Sequence, residues 1–298
     1  MPPVAHPKTD STAVLLVWCP DQKGLVAALA QLLYGHGANI LDADQHTDRA
    51  AGMFFQRTHF DLGDGGDGRD PATGRGELEA AIAEVAARFD MHWRLEYGDR
   101  RKRVALFVSK YDHCLWDLLL RHRAGELRCD IPLILSNHPD LEPIAKQFDI
   151  PYHHFPISKD TKRAQEEGEA ELLEREGIDL IVLARYMQVL TGEFIERFPS
   201  RIINIHHSFL PAFMGSKPYH RAYERGVKRI GATAHYATTD LDEGPIIEQD
   251  VIRCSHSDSV DDLVRKGRDV ERSVLARAVR WHLEDRVLVC HNRTVVFA

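Results

Sequence analysis

The pattern of apolar and polar positions changes near residue 100 and divides the chain into two unlike halves. In the first, residues 14–18 form a short apolar run, and residues 25–34 carry apolar side chains at helical spacing, which predicts a strand and then a helix. Between them Pro20, Asp21 and Gly24 mark a turn. Gly35 and Gly37 end the helix, residues 38–41 start a second strand, and residues 54–60 form a third. The glycine- and aspartate-rich stretch 63–76 buries little and is expected to be an exposed loop. Residues 77–89 read as a second amphipathic helix and residues 91–97 as an alternating fourth strand. The order βαββαβ predicts a ferredoxin-like domain over residues 1–98, with 99–103 as a solvated charged linker.

From residue 103 the strands lose their alternation. Residues 104–109, 132–136, 178–183 and 202–205 are nearly continuous in apolar character, and helical patterns at 113–123, 141–148 and 159–175 separate them. Such strands are buried on both faces, so residues 103–298 are expected to form a Rossmann-like, mostly parallel sheet between helices. Residues 230–236 and 246–253 suit an antiparallel extension, 260–284 a long final helix, and 287–290 with 294–297 a hairpin.

Composition narrows the class. A length of 298 residues fits two domains, and 44% hydrophobic with 28% charged residues is ordinary for a folded protein. No apolar run reaches the ~18–20 residues of a membrane helix, and the first twelve residues read as a frayed tail, not a signal peptide. The five cysteines are odd in number, scattered and free of CxxC pairs, which suggests no disulfide framework and fits a reducing cytoplasm. A net charge of −7 argues against a nucleic-acid partner.

Candidate chemistry gathers late in the chain. Asn204 and His206 lie two residues apart at the carboxyl end of a predicted strand, on one side of it, where open parallel sheets bind ligands. A loop containing Leu210, Pro211 and Gly215 follows, and a second loop, residues 238–245, carries Asp242. If both loops open on one cleft, an amide, an imidazole and a carboxylate converge. Each alone has an ordinary structural reading: a strand-end histidine, a turn-capping asparagine, a turn aspartate. His206 and His207 point to opposite sides of the strand and make a poor metal pair.

The combination is more specific. Asn204-Ile205-His206, Ser208-Phe209-Leu210-Pro211 and Asp242-Glu243-Gly244 resemble the Asn-x-His, Ser-Leu-Leu-Pro and Asp-x-Gly elements of the formyl-folate-dependent transferases, which include glycinamide ribonucleotide formyltransferase. The resemblance covers about residues 103–285. Residues 184–190, Ala-Arg-Tyr-Met-Gln-Val-Leu, look like that family's folate-contacting segment. The first domain resembles the ACT-type regulatory fold at residues 19–26 and at Gly37-Ala38-Asn39-Ile40. The two modules together resemble the formyltetrahydrofolate deformylase family.

That resemblance implies hydrolysis of 10-formyltetrahydrofolate to tetrahydrofolate and formate, which would adjust one-carbon pools and feed purine synthesis. It implies that Asn204 and protonated His206 stabilise the oxyanion, and that Asp242 holds His206 and orients or activates water. Folate contacts are expected from Arg185, Met187, Val189, Leu190, Thr238 and Asp240, with no cofactor and no metal. Residues 108–114 lack the glycine-rich phosphate loop of the ribonucleotide transferases, so water is the expected acceptor, with Lys110 and His113 bordering an emptied acceptor pocket. Cys114 at that helix start is expected to pack, not to act as a nucleophile. Asp21, Gly24, Asn39 and Ile40 are the expected contacts of an amino-acid effector such as glycine or methionine. A homotetramer is expected, since exposed edge strands invite pairing.

Overall fold

The computed structural model describes residues 11–63, 71–158, 160–212 and 218–298. The expected loop at 64–70, the turn at Gly215 and the tail before residue 11 lie outside the described residues. The chain divides into two compact units. One comprises Met1–Arg101 with Glu284–Leu288 and Val295–Ala298, the other Lys102–Leu283 with Val289–Thr294.

The first unit contains β1 (Thr12–Pro20), α1 (Leu25–Gly35), β2 (Asn39–Asp48), β3 (Met53–Asp61), α2 (Pro71–Phe89) and β4 (His92–Tyr97). The sheet order is β2-β3-β1-β4 and all pairs are antiparallel. Alternate residues of β1, Ala13, Leu15, Val17 and Cys19, pack on the apolar stripe Leu25, Leu29, Leu32 and Leu33 of α1 and on Leu78 and Ile82 of α2. The spacing of that stripe is what makes the segment helical. Buried Arg57 of β3 donates to the carbonyls of Asp285 (3.0 Å) and Glu284 (3.3 Å), which fixes the chain's late residues to this unit.

The second unit runs β5 (Lys102–Val108), α3 (His113–Arg123), β6 (Cys129–Ser136), α4 (Glu142–Gln147), β7 (Tyr152–His154), α5 (Lys162–Arg175), β8 (Leu180–Leu183), α6 (Gly192–Arg197), β9 (Ile202–His206), α7 (Pro218–Arg225), β10 (Arg229–Tyr236), β11 (Ile246–Arg253) and α8 (Val260–Leu283). The hairpin β12 (Val287–Cys290) and β13 (Arg293–Val296) follows, and its residues divide between the two units. The seven-stranded order is β11-β10-β9-β8-β5-β6-β7. Strands β7, β6, β5, β8 and β9 are parallel, and β10 and β11 add antiparallel pairs at the edge. One face buries Phe107, Leu135, Ile181 and Ile202 against Leu172 and Leu173 of α5, Phe194 of α6 and Phe198 just after that helix. The strand order reverses between β5 and β8, so a crevice opens beyond their carboxyl ends.

Three short elements were not expected: β7, α6 and α7. Boundaries also move. Pro71–Gly76 belongs to α2, not to the exposed loop, with Pro71 at the helix start where a missing N–H costs nothing. Lys102 and Arg103 open β5 and are not part of a solvated linker. The Arg103 side chain reaches the Glu176 carbonyl (2.6 Å), and its amide donates to Asp179 (2.9 Å).

Candidate active site

Strand β9 delivers the first two groups. Ile203 and Ile205 are buried, while the intervening Asn204 and the last residue, His206, line a cavity of about 610 Å³ beyond the strand end. The third group comes from the loop between β10 and β11. Asp242 has φ +60°, a left-handed conformation uncommon outside glycine, and it turns its carboxylate to His206 Nδ1 at 3.1 Å. Gly244 makes this loop possible, since a Cβ there would lie 1.8 Å from the Tyr236 carbonyl oxygen. The amide, imidazole and carboxylate expected from the sequence therefore share one cavity.

Antiparallel pairing of β9 with β10 sets His235 directly opposite Asn204. His235 Nδ1 lies 3.0 Å from the carbonyl of Tyr236, so it carries the proton and donates. Nε2 is then an acceptor, and Asn204 Nδ2 donates to it at 3.2 Å. Burial lowers the proton affinity of His235, against the Tyr236 hydrogen bond and the Asp242 charge, so the ring stays neutral at neutral pH. Its 3.8 Å approach to Asp242 is thus not an ion pair. One N–H of Asn204 is spent on His235 and the other is left for the cavity.

Burial acts to raise the Asp242 carboxyl, but its pairing with His206 outweighs that, and the group titrates below its ordinary value. His206 Nε2 is buried without a hydrogen-bond partner. An unsatisfied buried nitrogen on a cavity wall is a place for a ligand or ordered water.

The cavity has two unlike ends. Met187, Val189, Leu190, Ile195 and Leu241 make one end apolar, and Thr238 also lines the cavity. At the other, the His206 ring lies 5.2 Å from that of His207, and His207 meets Tyr219 edge-on at 6.1 Å. Tyr219 Oη donates to Glu271 Oε1 at 2.5 Å. His113 Nε2 (2.8 Å) and Arg185 Nε (3.3 Å) stand against Glu271 Oε2. Burial would raise the Glu271 carboxyl, yet His113, Arg185 and Tyr219 together hold it down at about 2, and it is ionised. Burial and the Arg185 charge push His207 down to about 3, so that ring is neutral.

Of the expected folate contacts, Met187, Val189, Leu190 and Thr238 lie on the wall. Arg185 lines the cavity too, but at the polar end, with φ +64° and its guanidinium 5.1 Å from the Tyr111 ring. Asp240 is exposed and only its carbonyl is used, accepting from Thr238 Oγ1. His113 borders the polar end, whereas Lys110 is exposed and off the wall, where Tyr111 stands instead. Cys114 is fully buried and burial raises its thiol well above the ordinary value. His113, Cys114 and Glu271 bring three donor atoms within 4.8 Å of one another. A protonated thiol and a carboxylate already shared by an arginine suit a metal cation poorly.

In the first unit, Asp21 and Gly24 follow the end of β1, at the Pro20–Met53 end of the sheet. Asn39 and Ile40 begin β2 opposite Asp61 and Phe60, the end where β1 starts. One copy of the chain holds these pairs apart by the length of a strand, roughly 26 Å at ~3.3 Å per residue. All four residues are exposed.

Sequence and structure comparisons show which known proteins the two modules resemble. A formyl transferase family model matches residues 102–279, and an ACT domain model matches residues 13–82. A formyltetrahydrofolate deformylase from Synechocystis is 59% identical over 96% of this chain and 99% of its own length. The crystal structure of a formyltetrahydrofolate deformylase from Pseudomonas syringae pv. tomato, 46% identical, superimposes with a TM-score of 0.91 over 96% of this chain and 94% of that one. A glycinamide ribonucleotide transformylase from Symbiobacterium toebii matches 66% of this chain and 95% of its own, at 31% identity and a TM-score of 0.62. The transferase therefore shares the second unit, and the deformylases share both modules. By identity over nearly its whole length, the chain belongs to the formyltetrahydrofolate deformylase family.

Proposed function

We propose that the second unit hydrolyses 10-formyltetrahydrofolate to tetrahydrofolate and formate. The observation that carries this is the meeting of Asn204, His206 and Asp242 on one cavity, between an apolar end suited to an aromatic folate and a polar end. Water adds to the formyl carbon and a tetrahedral oxyanion forms. The second N–H of Asn204 and, in its imidazolium form, His206 Nε2 donate to that oxygen. One such donor is worth roughly 3 kcal/mol of barrier. The C–N bond then breaks, N10 takes a proton, and formate leaves with one further proton released to solvent.

Asp242 holds the imidazolium through Nδ1 and orients the water. A carboxylate held below its ordinary titration range is a weak base, which favours orientation over proton abstraction. No resident cofactor is required, because the folate is the substrate. The formate would supply purine synthesis and the reaction would adjust one-carbon pools in the cytoplasm. We further read the first unit as an effector module for a small amino acid such as glycine or methionine in a homotetramer. Titration calorimetry on the full-length chain tests that part.

The deciding experiment is incubation with 10-formyltetrahydrofolate alone. Tetrahydrofolate and formate should appear in equal amounts without any added amine. Turnover that starts only when an amine is supplied would overturn the reading.

A further inference from the structure

The polar end of the cavity is built more rigidly than water attack by Asn204, His206 and Asp242 requires. Glu271 is 1% exposed and sits midway along α8, on the stripe that otherwise buries Leu263, Val270, Val274 and Leu275. A lone carboxylate there would be costly, and it is tolerated because Tyr219, His113 and Arg185 all converge on it. Removing one partner of such a buried cluster leaves an uncompensated charge, so the three side chains are held in one arrangement.

Two backbone features serve the same cluster. Gly267 lies one helical turn before Glu271, and a Cβ on it would fall 2.0 Å from Tyr219 Oη. The glycine is therefore the notch in which the phenol lies. Arg185 accepts a left-handed φ of +64° to bring its guanidinium to Glu271 and the Tyr111 face. Tyr219 is 7% exposed, and its ring reaches the reacting groups through a single intermediate, the neutral imidazole of His207. The wall thus begins one ring away from His206.

A formyl acceptor larger than water needs room beside His206 and Asp242 on the side away from the folate. Tyr219 lines the cavity next to His207, which itself stands against His206, and Glu271 fixes its phenol. We propose that Tyr219, clamped by Glu271, is a specificity-determining residue that restricts the formyl acceptor to water. This rests on the hydrolytic reading above. With water, the C–N10 bond breaks, a C–O bond forms, and N10 takes a proton. With a primary amine admitted instead, a C–N bond to the amine forms and the amine's proton replaces the formyl group on N10. Both steps balance without any oxidant or reductant.

The test uses the full-length enzyme with 10-formyltetrahydrofolate in the presence of hydroxylamine or glycinamide. Tetrahydrofolate is followed by absorbance, and formate and the N-formyl product by mass spectrometry. Wild type should yield one formate per tetrahydrofolate whatever the amine. Tyr219→Ala should raise the ratio of N-formyl product to formate by at least roughly tenfold, the lower end of what a change in pocket volume does to discrimination. Tyr219→Leu opens less space and keeps an apolar side chain on the Gly267 notch; it serves if the alanine variant does not fold, with the same direction expected. Tyr219→Phe retains the ring and should still give formate alone. A folded, active Tyr219→Ala or Tyr219→Leu enzyme that releases only formate overturns the proposal. So does a wild-type enzyme that already formylates the amine. Wild type that releases no formate from substrate alone overturns the hydrolytic reading instead, so the two failures are distinct.

Discussion

Replacing His235 with leucine isolates a contact that follows from strand register. His235 faces Asn204 across β9 and β10 and accepts its Nδ2–H at 3.2 Å. Leucine fills similar space at a site 2% exposed but leaves that N–H without an acceptor. An unsatisfied buried donor costs about 1–3 kcal/mol, which thermal unfolding should record. The catalytic loss has a different origin. Asn204 can then turn its amide away from the oxyanion, and complete loss of such a donor costs ~10²–10³ in kcat. Partial misorientation should lower kcat by at least roughly tenfold and leave KM nearly unchanged. Steady-state release of tetrahydrofolate and formate measures both constants. A double-mutant cycle supplies the sharper test: if His235 acts through Asn204, His235→Leu adds almost nothing to the loss in Asn204→Ala. Independent sites would add to within about twofold. Full additivity, or kcat of the single variant within about twofold of wild type, would refute the positioning role.

Two further outcomes follow from the same geometry. Asp242→Asn should keep tetrahydrofolate binding, measured by fluorescence quenching, and lose roughly 10²–10³ in kcat, since the His206 contact loses its charge; near-normal turnover would remove Asp242 from its role. The Glu271 carboxyl is held at about 2 against an ordinary 4.5, so its contribution to stability is complete above pH 4.5 and is lost as pH falls from there towards 2. Unfolding curves should show Glu271→Gln less stable than wild type at pH 7 by a few kcal/mol, with the gap narrowing below pH 4.5; a constant gap across that range would contradict the ionised cluster.

Most of the architecture was legible because burial on both faces leaves a strong signature. Residues 104–108 and 202–205 are nearly continuous apolar runs, and they lie in β5 and β9 near the centre of the seven-stranded sheet. The elements that escaped are short or polar. Strand β7 has three residues, and α6 is a six-residue helix whose start depends on Thr191 Oγ1 accepting from the Phe194 amide. Strand β2 runs on to Asp48 through a polar stretch with many exposed residues, where no alternation marks it. Asn204, His206 and Asp242 were legible as a motif, but His235 was not, because its partner is decided only when β9 and β10 pair.

Glu271 left a signal of another kind. It interrupts the apolar spacing of a long amphipathic helix, and a charge on a core-facing stripe must be paired or protonated. The same breach occurs on α5, where Glu166 and Glu169 share the buried face with Ala170, Leu172 and Leu173. Both resolutions appear there. Glu166 accepts from the backbone amide and hydroxyl of Thr191, immediately beyond the segment 185–190 that lines the cavity. Glu169 is fully buried, and burial with the Glu166 charge pushes it up to about 8, so it is largely protonated at neutral pH. Acids on the buried stripes of two different helices thus support opposite ends of one cavity: Glu271 fixes Tyr219 and Arg185 at the polar end, and Glu166 anchors the segment ending at Leu190 at the apolar end. Where an amphipathic pattern is broken by a carboxylate, the partner that pays for its burial is the place to look for the site.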